Sequence, residues 1–155
     1  MGAVLVLSGP NLQLLGVREP EMYGSETLSS IHDRLTDRGR ALGVSIDARQ
    51  SNHEGELVTW IGSALGACAG ILFNPGAYTH TSIALYDALR AVRLPCVEVH
   101  LSHPDAREGF RRRSRIAPAC IGRVSGFGGD SYLLGLDGLV AFLNRQTTQH
   151  EPSRG

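Results

Sequence analysis

The chain predicts an α/β fold built on a doubly wound, five-stranded parallel sheet with helices on both faces. Five short apolar runs are spread along its 155 residues, and the segments between them repeat their apolar positions at helical intervals. The two kinds of element alternate, which is the pattern of parallel strands joined by crossover helices.

Ala3 to Leu7 is the first expected strand. Beyond a long loop, Ser25 is a residue type suited to an N-cap, and Leu28, Ile31, Leu35 and Leu42 then mark a helix that Gly43 stops. Val44 to Arg49 is the second strand, followed by Leu57, Ile61 and Leu65, which repeat every fourth position before Gly66. Ile71 to Asn74 is the third strand; Ile83, Ala84, Ala88 and Ala91 mark a helix that closes ahead of Pro95. Cys96 to Val99 and Ile121 to Ser125 complete the strands, and Leu133, Leu136, Leu139, Val140 and Leu143 define the last helix. Five strands favour the flavodoxin-like order 2-1-3-4-5. Without repeats or a linker, residues 1–145 are expected to form one domain; the polar stretch 146–155 is expected to fray.

Composition removes several classes of function. Fifteen basic residues balance fifteen acidic ones, so no global field gathers nucleic acid or anionic lipid. The run Arg111-Arg-Arg-Ser-Arg115 lacks interleaved aromatics and is weak support for a nucleic-acid surface. No apolar run approaches the roughly 20 residues of a membrane span, and no signal peptide is recognisable, so a cytoplasmic location without membrane partners is expected. Cys68, Cys96 and Cys120 form no CxxC pair and sit in apolar surroundings, as reduced buried thiols do. His53-Glu54 is a poor metal site without a second spaced pair, so no metal is expected. Gly126-Phe-Gly-Gly129 follows the last strand instead of the first and is not a dinucleotide fingerprint. All fifteen basic residues are arginine. A guanidinium cannot lose its proton to form an imine, so any carbonyl chemistry here proceeds without a lysine Schiff base.

Ligands of such sheets bind beyond the carboxyl ends of the strands, at the switch point between strands 1 and 3. Asn11 follows strand 1, Asn74-Pro-Gly76 ends strand 3, and His100-Leu-Ser102 follows strand 4, so polar groups converge there. The loop Gly9 to Gly24 adds Arg18 and Tyr23, with Leu12, Leu14, Leu15 and Pro20 available as anchors. A phenol of ordinary pKa is about 0.1% ionised at neutral pH. A guanidinium within about 4–6 Å stabilises the phenolate, and Arg18 is close in sequence. Taken alone, the pair also fits an exposed turn. His100 can donate a proton near neutral pH, and Glu98, two residues earlier in a strand, projects to the same side. Taken alone, a histidine at a strand end is more often a hydrogen-bonding residue than a catalyst. His80 and Asp87 are seven apart, which places both on one helix face two turns apart; Asp87 alone also reads as a surface helix charge.

Six segments, Gly9 to Gly24, Gln50-Ser-Asn-His-Glu-Gly55, Phe73 to Thr81, Glu98 to Ser102, Ala106 to Arg111 and Gly126-Phe-Gly128, together resemble the type II 3-dehydroquinate dehydratases in order and spacing. The resemblance extends from about Val4 to about Leu143. It implies a cofactor-free hydro-lyase that reversibly converts 3-dehydroquinate to 3-dehydroshikimate through an enolate, in the shikimate or quinate pathway. It assigns Tyr23 as the base, Arg18 as a stabiliser of transition-state charge, His100 as the acid, Glu98 as its partner, and Asn11 as a contributor at the enolate oxygen. Asn74, His80, Asp87, Leu101, Ser102 and Arg111 are assigned to substrate binding, with Asp87 acting across a subunit contact and Arg107 in support. A homo-oligomer, a dodecamer in this family, is implied. Gln13 and Val17 depart from common family residues at positions that carry no proton transfer, and His103 and Pro104 depart at the rim of the carboxylate pocket. A flavodoxin-type carrier or receiver module of the same fold is disfavoured, because the turn after strand 1 lacks a Ser/Thr-rich phosphate cradle and no lysine follows strand 5. A catalytically dead homologue is disfavoured by the retained Tyr23, His100 and Arg18.

Overall fold

A computed structural model describes residues 2–17, 21 and 25–150. Five strands, β1 (Ala3–Ser8), β2 (Ser45–Gln50), β3 (Cys68–Asn74), β4 (Cys96–His100) and β5 (Gly122–Ser125), form one parallel sheet in the order β2-β1-β3-β4-β5. Ser8 lies opposite both Gln50 and Asn74, and His100 opposite Ser125, so the carboxyl ends of the strands share one rim. Among the described residues four α-helices cover the sheet: α1 (Leu28–Leu42), α2 (Glu54–Ser63), α3 (Ile83–Val92) and α4 (Asp130–His150). None is long and apolar enough to cross a membrane.

Strand alternation sorts the core into two layers. Val4 and Val6 of β1 face α1 and α4 with Leu72, Val97 and Val99, where they meet Ile31, Leu35, Leu136 and Leu139. Leu5 and Leu7 face α2 and α3 with Ile71, Phe73 and Cys96, against Leu57, Ile61, Leu85 and Leu89.

Several expectations shift. The N-cap of α1 is Thr27, not Ser25; its hydroxyl accepts from the Ser30 N–H at 3.1 Å. Gly43 ends the helix in the left-handed conformation (φ 80°), as its position predicts. Helix α3 forms where expected, but the residues that mark it are mostly not those that pack: Ile83 is exposed, Leu85, Leu89 and Val92 reach the core, and Ala88 is partly buried against it. Alanines tolerate either side of a helix, so they marked the period poorly. Leu65 lies past the end of α2 and is exposed. Helix α4 continues through Gln146 to His150, a stretch expected to fray. Of the cysteines only Cys96 is fully buried; Cys68 and Cys120 are half-buried.

Candidate active site

At the exits of β1 and β3 the backbones nearly touch. The Gly9 N–H donates to the Asn74 carbonyl at 2.8 Å, and a Cβ on Gly9 would stand 2.4 Å from the Pro75 oxygen, so only glycine fits. Asn11 then adopts φ 69°, a left-handed conformation that asparagine tolerates. Its N–H donates to Asn52 Oδ1 at 2.9 Å, while Gln50 Nε2 donates to the Gly9 carbonyl and to Gln13 Oε1, both at 3.1 Å. The segment after β2 thus braces the loop after β1. Leu12 and Leu15 bury their side chains in the core as anchors, whereas Leu14 is partly exposed.

Asn74 is almost fully buried, and its Oδ1 accepts from the Gly76 N–H at 3.1 Å. Beneath it lies Tyr132 of α4, whose hydroxyl is 2.8 Å from Ser8 Oγ. Burial pushes the Tyr132 phenol up to about 12, and its hydrogen bonds to Ser8 and Asn74 offset only part of that. Tyr132 therefore stays protonated and serves as a brace, not as a base.

At the exit of β4, His100 Nε2 is 2.5 Å from Glu98 Oε2. Glu98 is completely buried and surrounded by donors: Thr79 Oγ1 donates to Oε2 at 2.5 Å, Ser114 Oγ reaches Oε1 at 2.8 Å and Oε2 at 3.0 Å, and Arg123 Nε is 3.6 Å from Oε1. Burial alone would raise the Glu98 pKa; the hydrogen bond and charge of His100, the Thr79 hydroxyl and Arg123 outweigh it and hold the carboxyl below its ordinary range. An ionised carboxylate facing Nε2 requires a proton on that nitrogen, which leaves Nδ1 to serve a ligand.

His80 lies in a 3-10 turn, Gly76–His80, and donates from Nδ1 to the Arg113 carbonyl at 2.8 Å. Burial lowers its pKa; the Arg113 carbonyl raises it, and the charges of His100 and Arg111 lower it further. The neutral ring so favoured keeps Nε2 as an acceptor. Arg111 stacks over Phe110 at 4.9 Å and donates to Glu108 at 2.8 Å, and Arg107 Nη1 is 3.4 Å from Ser102 Oγ.

These groups enclose a cavity of about 290 Å³, in which Asn11, Asn74, His80, His100, Leu101, Ser102, Arg107 and Arg111 all take part. Glu98 sits behind His100. Pro104, one of the departures from the family pattern, is also on the wall. Arg18 and Tyr23 lie outside the described residues. Asp87 is not brought to this cavity: it is exposed on α3, in an open hollow with Arg90, Arg93 and Phe142. Nor do His80 and Asp87 share a helix face, because Ser82 caps α3 by accepting from the Leu85 N–H at 3.0 Å, and the helix starts only at Ile83.

Thr79 and Ser114 escape a reading of the sequence. Ser114 stands inside an arginine run that draws notice for its charge, and nothing in the spacing joins it to Thr79, 35 residues away, although the two hydroxyls are 2.9 Å apart.

A family model described as Dehydroquinase class II matches residues 2–140. Two curated 3-dehydroquinate dehydratases, from Nostoc and Synechocystis, are each 59% identical to the chain; the alignments cover 91% and 92% of it and 96% and 94% of the relatives. Among solved structures, the type II dehydroquinase from Butyrivibrio crossotus superposes with a TM-score of 0.87 at 38% identity, covering 90% of this chain and 97% of that one.

Proposed function

Because the chain belongs to the class II dehydroquinase family, we propose that it is a hydro-lyase that dehydrates 3-dehydroquinate to 3-dehydroshikimate in the cavity at the β1, β3 and β4 exits. The observation that carries this reading is the pairing of His100 with a buried, ionised Glu98 at the wall of a cavity that also holds amide and guanidinium donors. Tyr23, as a phenolate supported by Arg18, takes the proton alpha to the ketone, and the electrons move into an enolate. Asn11 stabilises the enolate oxygen, where charge develops. Collapse of the enolate expels the hydroxyl, which takes the Nδ1 proton of a doubly protonated His100; the ring is left neutral with the Nε2 proton that Glu98 holds. Water leaves and the conjugated enone remains.

Substrate grip follows from the same wall. The Leu101 and Ser102 amides with the Ser102 hydroxyl receive the carboxylate, with Arg107 beside them. Asn74 and the neutral His80 bind hydroxyls, and Arg111 adds positive charge. Asp87 contributes from a neighbouring subunit of a homo-oligomer, a dodecamer in this proposal, which accounts for its distance from its own chain's cavity. The protein works in the cytoplasm, in the shikimate or quinate pathway, without a cofactor.

The test is the rise in enone absorbance when the protein is mixed with 3-dehydroquinate, followed by borohydride quenching and mass spectrometry. Turnover without an added substrate mass is expected. No turnover would overturn the activity, and a trapped covalent adduct would overturn the enolate route.

A further inference from the structure

A buried carboxylate is costly unless its charge is matched and its oxygens are hydrogen-bonded. Glu98 meets both conditions through groups from four places in the chain. His100 belongs to its own strand, Thr79 to the turn after β3, Ser114 to the segment before β5, and Arg123 to β5. His80 is the other titratable group whose charge couples to Glu98 from the cavity side, and the buried Cys96 thiol lies on the same strand.

The bonds continue outward from this node. Ser114 Oγ also accepts from the Ala117 N–H at 3.0 Å, the Arg115 N–H donates to the Thr79 carbonyl at 2.7 Å, and Arg115 Nε donates to the His80 carbonyl at 3.1 Å. One carboxylate therefore joins the turn bearing His80 to the segment that begins at Arg111. It aims His100 at the same time.

Resting on the dehydratase reading, we infer that Thr79 and Ser114 are positioning residues of the reaction. They fix the Glu98 carboxylate in the one orientation that can hold the His100 Nε2 proton, and Ser114 also ties the Arg111 segment to the sheet. Thr79 shares Oε2 with His100, so it acts mainly on proton donation. Ser114 reaches both oxygens and its own segment, so it acts on donation and on substrate binding.

The test is a pair of double-mutant cycles read in kcat and KM, with thermal melts run alongside. Thr79→Val should lower kcat about 10- to 100-fold, the loss of one hydrogen bond to a charged group, with KM little changed. Thr79→Ser should restore most of the turnover. Ser114→Ala should lower kcat and raise KM together. In a Glu98→Gln background, either substitution should cost little further kcat, because the carboxylate through which they act is gone. If the losses multiply undiminished in that background, or if Thr79→Val turns over like wild type while His100→Ala does not, the inference is wrong and the dehydratase reading stands. If wild type itself fails to turn over 3-dehydroquinate, that reading falls first. Should Thr79→Val not fold, Ser114→Ala decides by the same cycle.

Discussion

The two sides of β4 are built to opposite rules. Val97 and Val99 point towards α1 and α4 into a layer of valines, leucines and isoleucines. Glu98 and His100, interleaved with them, point the other way into an ion pair ringed by hydroxyls. The same five residues thus carry a stabilising face and a chemical face. On the apolar side removal of surface from water supplies free energy. On the polar side burying a carboxylate costs free energy, and the hydrogen bonds and charges around Glu98 are needed to offset that cost. A site of this kind depends on the core behind it for its stability.

That contrast can be broken most sharply from outside β4. Tyr23→Phe keeps the ring but removes the ionisable oxygen, so kcat should fall by roughly 10³ to 10⁴, near the upper end for loss of a general base, with unchanged circular dichroism and retained ligand binding. Near-normal kcat would mean that another group takes the proton.

Leu136→Ala on the apolar side should do the reverse. The side chain is completely buried, so unfolding in urea should show a loss of about 2–5 kcal/mol, while kcat per folded molecule stays at the wild-type value. A comparable fall in kcat would mean that the two faces are not separable.

Gly9→Ala lies at the junction of the two. The added Cβ must displace the Pro75 carbonyl, at about 1–3 kcal/mol for overpacking, and the strand exits that place Asn11 and Asn74 should move apart. Stability should fall and KM should rise; a wild-type KM would mean that the turn relaxes elsewhere.

Glu98→Gln should give the smallest change in stability, present at neutral pH and fading in acid. The folded carboxyl ionises below its ordinary value, so its contribution is complete above the unfolded pKa of about 4.3 and is lost as pH falls through the folded value. The variant should show a flatter decline of melting temperature in that window. An unchanged acid limb would place the acid sensitivity elsewhere.

Much of this arrangement is legible in the sequence, and the exceptions have physical causes. Apolar runs located all five strands to within a few residues because both sides of a parallel sheet are covered. The rule that ligands gather beyond strand ends brought Asn11, Asn74, His100 and Ser102 to one cavity. The end of α4 was missed because 146–150 carries no apolar period; there the Thr147 and Thr148 hydroxyls and His150 Nδ1 bond back to carbonyls four residues earlier. Spacing alone puts His80 on the helix of Asp87, because it does not show that Ser82 intervenes as a cap. Thr79 and Ser114 were invisible because their roles exist only when distant segments meet at Glu98. Asp87 is exposed on α3 and does not line this cavity, which the spacing of residues alone does not reveal.

The most direct measurement of the central claim is the steady-state kinetics of His100→Ala with 3-dehydroquinate. If His100 is the proton donor held by Glu98, kcat should fall by roughly 10² to 10⁴ with KM close to wild type. A rise in KM with kcat preserved would contradict the account, because His100 would then bind substrate without giving it a proton.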